Sequence, residues 1–185
     1  SILQMAVQGK LVPQDPNDEP ASVLLARIRA EKEQLIKEGK IKKEKNPSII
    51  FRGADNLPYE KVGKNKPVCI ADEVPFEIPD TWEWVRLGSI GDWGSGATPS
   101  RSIPEYYGGD IPWLKTGDLN DGYIEYIPEN ISRFALEKTS VRLNPAGSVL
   151  IAMYGATIGK LGILTFPATT NQACCACLPI EICNE

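Results

Sequence analysis

The stretch Trp93–Arg101 reads Trp-Gly-Ser-Gly-Ala-Thr-Pro-Ser-Arg, and two stretches of similar make-up follow it at Ile111–Leu119 and Tyr154–Lys160. Each combines glycine, small hydroxyls and a cation. Glycine lets backbone approach a partner closely and adopt positive φ. Hydroxyls, amides and cations are the groups that hold phosphates and read base edges. Three such stretches in one short chain predict a surface that touches a polar, extended partner.

Other chemistries are near misses. Gly155-Ala156-Thr157-Ile158-Gly159-Lys160 approaches a phosphate-binding P-loop. However, only three residues separate its glycines, and Leu161 stands where Ser or Thr would bind Mg²⁺. Gly94-Ser95-Gly96 lacks the flanking pattern of a nucleophile elbow. With no histidine in the chain, triads and histidine general bases are excluded. Cys174 and Cys177 have C-x-x-C spacing, with Cys69 and Cys183 as further thiols, but alternation along an apolar run favours core packing over a zinc site. Asp110, Asp118 and Asp121 with Lys115 could chelate Mg²⁺. Asn120-Asp121-Gly122 is a strong turn signal, so turns are favoured.

The 185 residues suffice for one domain, or one domain with an appendage. No apolar run is long enough for a membrane helix. Five cysteines, three of them within four positions, point to reduced thiols and a cytoplasmic protein. Ser1 carries no basic and apolar leader and no initiator Met, so the natural start is expected upstream. Charge is uneven. Residues 1–66 hold 13 Lys+Arg against 9 Asp+Glu, and residues 67–185 hold 7 against 15. An acidic globular part opposes simple nucleic-acid binding, because phosphate neutralisation supplies much of such affinity.

Apolar spacing predicts a helix ending near Leu11 and a second over about Pro20–Glu38, with Asn17 or Asp18 as N-cap and Gly39 closing it. The basic run Lys40–Lys45 is read as a solvated helix end, with a phosphate patch as the alternative. Residues 46–66 read as a loop or linker. Alternation puts Trp82, Trp84 and Arg86 on one strand face. Tyr123–Ile127, Val149–Tyr154, Leu161–Phe166 and Ala173–Ile182 read as strands, and Phe134–Thr139 as a short helix. The fold class is α+β: a β-rich domain with an N-terminal helical segment and long loops. The domains are expected at 1–14 (end of one helix), 15–45 (second helix), 46–75 (linker) and 76–185. The last strand, with no element after it, is expected to leave an unpaired edge open to self-association.

Several of these stretches together resemble the specificity subunit of type I restriction-modification enzymes. Trp82–Gly88 is similar to the opening of its target recognition domain. Gly94–Arg101, Gly109–Asp118, Gly147–Lys160 and Thr170–Ala173 are similar to later parts of it, and Ile2–Val12 to the end of its long conserved helix. The resemblance spans nearly the whole chain except 46–71. It implies a non-catalytic, cofactor-free subunit in which each recognition domain reads half of a bipartite DNA target. Its implied partners are modification subunits that methylate adenine and restriction subunits that cut DNA. On this resemblance the chain is expected to hold the end of one conserved helix and most of one recognition domain, without the conserved helix that follows.

On that basis the candidate DNA contacts are Thr98, Ser100, Arg101, Lys115, Thr116, Asp118, Tyr154, Thr157, Lys160, Asn171 and Gln172. Arg101 can hold a phosphate or pair with guanine O6/N7; Lys115 and Lys160 suit phosphates. Thr98, Ser100, Thr116 and Thr157 can donate to either. Asn171 and Gln172 can read adenine or satisfy strand ends, and Asp118 can accept from cytosine N4. Trp82 and Trp84 are expected to pack in the core. The competing readings are a protein-interaction module without DNA readout and, behind it, a Mg²⁺-dependent nuclease using Asp110, Asp118 and Lys115.

Overall fold

A computed structural model describes residues 1–180. It divides into two compact units, Ser1–Ile90 together with Ile180, and Gly91–Pro179. In the first unit, α1 (Ile2–Val7) is capped by Ser1, whose hydroxyl accepts from Gln4 N–H at 3.2 Å. It ends at Gly9, which sits at φ +66°. α2 spans Ala21–Lys37 and buries Ile28. Its N-cap is Pro20, with no side-chain cap, and not Asn17 or Asp18. The reason is local: Asp15 Oδ1 accepts from both Asn17 N and Nδ2, at 2.8 and 3.0 Å, and closes that turn by itself. At the other end Gly39 has φ +71°; its N–H donates to Ile36 O and that of Lys40 to Leu35 O, a Schellman closure.

Residues 46–66, expected as a loop, instead form most of a three-stranded antiparallel sheet of β1 (Ser48–Arg52), β2 (Pro58–Val62) and β3 (Val68–Cys69), in that order. The run Ser-Ile-Ile-Phe-Arg has high strand propensity, and Phe51 lies opposite Tyr59 with ring centroids 6.2 Å apart. The lysines and glycines nearby masked this pattern. The converse error lies at 82–86, which pairs with no strand. Trp82 Nε1 donates to Gln14 Oε1 at 2.8 Å, and Trp82 stays partly exposed instead of entering the core. Trp84 tilts against Phe76 at 5.4 Å, and Arg86 ion-pairs with Glu60 and Glu73. The short α3 (Leu87–Ile90) follows.

The second unit holds β4 (Gly91–Ser95), β5 (Tyr107–Leu114), β6 (Gly122–Ile124), β7 (Asn130–Ile131), α4 (Arg133–Lys138), β8 (Val149–Ala152), β9 (Leu161–Leu164), β10 (Thr169–Thr170) and β11 (Cys174–Pro179). Five of them form a mixed sheet in the order β4-β11-β8-β9-β6, and three a smaller one in the order β10-β5-β7. Leu114, Ile124, Leu150, Leu164, Cys174 and Ala176 anchor one core cluster. Ile111, Trp113, Ile131 and Ala135 anchor a second. The last described strand is not an edge. β11 is interior, paired antiparallel with β4 on one side and β8 on the other. It ends at Pro179, with Ile180 already outside the strand, and the expected continuation over 181–182 lies outside the described residues. The partner on its far side is β4, a Gly-Asp-Trp-Gly-Ser strand whose two glycines hid it in the sequence.

Cys174 and Cys177 are buried. Three residues apart on a strand they face opposite ways, so their C-x-x-C spacing does not bring the thiols together.

Candidate nucleic-acid interface

The loop after β4 is pinned by its backbone. Gly96 N–H donates to Cys174 O and Ala97 N–H to Thr170 O, both at 3.0 Å. A Cβ on Gly96 would overlap the carbonyl oxygens of Thr170 and Asn171, so glycine is required there. Two aromatics of β5 hold the next residues: Trp113 Nε1 donates to Ala97 O at 3.0 Å and Tyr107 Oη to Pro99 O at 2.5 Å. Pro99 is buried, while Thr98, Ser100 and Arg101 are exposed. The Thr98 hydroxyl donates to the Gln172 amide oxygen, and the Ser100 and Ser102 hydroxyls bond each other at 2.7 Å.

Arg101 and Lys115 meet at a residue that sequence reasoning missed. Arg101 Nη1 lies 2.6 Å from Glu129 Oε1, and Lys115 Nζ lies 2.9 Å from Glu129 Oε2. The Arg101 guanidinium carbon also sits over the Tyr107 ring, 4.1 Å from its centroid, and 5.3 Å from that of Trp113. The Arg101 side chain is 58% exposed and that of Glu129 is 24% exposed. Arg101 above all, then Lys115, holds the Glu129 carboxyl below its usual range, against burial that pushes it up. The same bonds raise Arg101 and Lys115. Nothing in Ile127-Pro128-Glu129-Asn130 signals this role; it follows from the pairing of β5 with the segment entering β7, where Trp113 N–H donates to Glu129 O at 2.8 Å.

Asp118 Oδ2 accepts from Lys115 N–H at 2.9 Å, and Asp118 N–H donates to Lys115 O at 2.8 Å. The carboxylate thereby closes the turn Thr116–Asp118. Asp121, at φ +58°, accepts from Leu161 N–H at 2.8 Å. Asp110 lies 3.9 Å from Arg133. Among the described residues no three acidic, cysteine or histidine side chains gather as a metal site.

Tyr154–Lys160 is the turn of the antiparallel β8–β9 hairpin, shaped by Gly155 at φ +87° and Gly159 at φ +82°. A P-loop must lead from a strand into a helix, so this context removes that reading. Tyr154 and Lys160 are exposed and Thr157 half-buried; Lys160 Nζ reaches Leu119 O at 3.4 Å. Direct bonds join the candidate stretches: Asn171 N–H to Leu114 O and Met153 N–H to Ala173 O, both at 2.9 Å, and Lys160 to the end of the Thr116–Asp118 turn. Asn171 Oδ1 is buried without a protein partner.

Thr98, Arg101, Lys115 and Gln172 thus lie on neighbouring segments of one α+β unit, linked by the Thr98–Gln172 bond and by Glu129. The family model described as type I restriction modification DNA specificity domain matches residues 79–185. The chain belongs to this family. It is 54% identical over 90 residues to the Escherichia coli type I restriction enzyme EcoAI specificity subunit, a match covering 49% of this chain and 12% of that protein. It is 51% identical over 89 residues to the Escherichia coli EcoEI specificity subunit, covering 48% and 12%. The chain thus matches only a small part of the length of these relatives. A solved structure described as the structural basis underlying complex assembly and conformational transition of the type I R-M system aligns with TM-score 0.48 and 19% identity, over 86% of this chain and 35% of that one.

Proposed function

We propose that this chain is the DNA-reading part of a type I specificity subunit. It recognises one half of a bipartite target and directs adenine methylation and cleavage carried out by modification and restriction subunits. It performs no catalysis itself and works in the cytoplasm, where those partners and the DNA are; among the described residues no helix is long and apolar enough to cross a membrane. In this reading residues 76–185 are the recognition domain, 1–14 and 15–45 are helical segments belonging to the conserved region, and 46–75 connects them through the small sheet.

The observation that carries the reading is that Thr98, Ser100 and Arg101 stand exposed on one pinned loop, with Gln172 bonded to Thr98 and Lys115 joined to Arg101 through Glu129. Asp118, Lys160 and Asn171 extend it through the bonds described above, and Thr116, Tyr154 and Thr157 stand on the same turns. The acidic balance of residues 67–185 means that the chain alone holds DNA weakly, with the partner subunits supplying most of the grip. The test is the double variant Arg101→Ala/Lys115→Ala in the assembled complex. Affinity for the cognate DNA should fall by at least about tenfold; an unchanged affinity removes this loop cluster from the interface.

A further inference from the structure

Arg101 and Lys115 share Glu129 but are held differently. Arg101 is restrained on three sides: the Glu129 carboxylate at Nη1 and the rings of Tyr107 and Trp113. The two rings are themselves fixed, 6.0 Å apart and edge-on at 75°, and each spends its polar atom on the loop backbone, at Pro99 O and Ala97 O. Lys115 has only the ion pair at the end of a flexible stem. A guanidinium carries five N–H donors in a planar fork. Glu129 takes the Nη1 side, so the stacked fork keeps further donors at an exposed position. A pre-set planar fork suits the two acceptors of a guanine edge, whereas a mobile ammonium suits a phosphate.

We propose that Glu129 is a specificity-determining positioning residue, which clamps Arg101 on the Tyr107–Trp113 shelf so that its free donors read a guanine in the major groove. The proposal rests on the DNA-recognition reading above. Glu129 acts through Arg101 and touches no base. Its negative charge also opposes phosphates and occupies Lys115. Losing it should loosen base readout and, at the same time, free a cation for the backbone. A residue needed only for folding would weaken all binding together.

The experiment uses the complete complex, with affinities measured for the cognate duplex, for every single-base-pair substitution in it and for random DNA, across a salt series. In Glu129→Gln, discrimination at one base pair should fall roughly tenfold. Affinity for random DNA should hold or rise, and the salt slope should steepen by up to about one. Arg101→Lys, a surface change that keeps the charge but loses the fork, should flatten discrimination at the same base pair. In Arg101→Ala, adding Glu129→Gln should change discrimination no further. An unchanged discrimination profile in Glu129→Gln overturns the proposal. So does a parallel loss for cognate and random DNA, or an effect of the two single variants at different base pairs. If the unmodified complex shows no base preference at all, the recognition reading itself fails, which is a separate result.

Discussion

Trp113 Nε1 donates to the carbonyl of Ala97 at 3.0 Å, joining a nearly fully buried indole of β5 to the loop that presents Thr98, Ser100 and Arg101. The bond fixes where an otherwise exposed loop can lie. Trp113→Phe keeps an apolar ring but leaves the Ala97 oxygen without its donor. Losing such a half-buried hydrogen bond costs about 0.5–1.5 kcal/mol. Urea denaturation followed by circular dichroism should show a loss of that size, and an unchanged midpoint would mean that the loop is held by its other contacts alone.

Gly96 makes a sharper demand, because the obstacle to a side chain is backbone. The oxygens of Thr170 and Asn171 cannot swing aside as a flexible side chain would. Gly96→Ala should destabilise the chain by about 1–3 kcal/mol, the usual cost of overpacking. Gly117→Ala, with no atom within 4 Å of its added Cβ, is the control and should be close to neutral. Equal denaturation midpoints for the two variants would contradict the close approach at Gly96.

The contrast between these glycines shows what was legible. Apolar spacing located α2, and short apolar runs between Gly, Pro and Asn marked α4, β8, β9 and β11 within a few residues. Composition misled where a strand is made of unusual residues. β4 and β5 carry glycines for close approach and went unread, and lysine-rich residues 46–66 hid a sheet. The candidate cations were legible by type. Glu129 was not, because it meets Arg101 and Lys115 only through long-range pairing.

Cysteine reactivity should follow burial. The Cys174 thiol is pushed up to about 12, chiefly by desolvation, and Cys175 is also raised, whereas Cys69 is exposed at the end of β3. Only thiolate reacts. Brief treatment of the native protein with iodoacetamide, followed by peptide mass mapping, should therefore modify Cys69 well ahead of Cys174. Comparable modification of both would mean that the β11 core opens on the labelling timescale.

Acid should find a weak point in the first unit. Arg86 above all, with the Ser48 hydroxyl, holds the Glu60 carboxyl down at about 2 in the folded chain. A folded-state value below the unfolded one stabilises the protein above the ordinary carboxylate range. That contribution is lost as pH falls from there toward about 2. Glu60→Gln removes it throughout. The melting temperature of the unmodified protein should therefore exceed that of the variant at neutral pH, with the gap closing as pH falls through this window. A gap that is constant or widens on acidification would contradict the pairing.

Lys160 tests whether the β8–β9 turn meets DNA. Its ammonium makes one long bond, 3.4 Å to Leu119 O, and is otherwise exposed, so removing it should leave the fold intact. A phosphate contact contributes electrostatics without reading sequence. In the assembled complex, Lys160→Ala should weaken cognate and random DNA by similar factors. It should also reduce the slope of log affinity against log salt by about 0.9, the value for one phosphate contact on duplex DNA. A selective loss at one base pair would instead make Lys160 a base reader. An unchanged slope would take this turn out of the interface and leave the Arg101–Lys115 cluster as its cationic part.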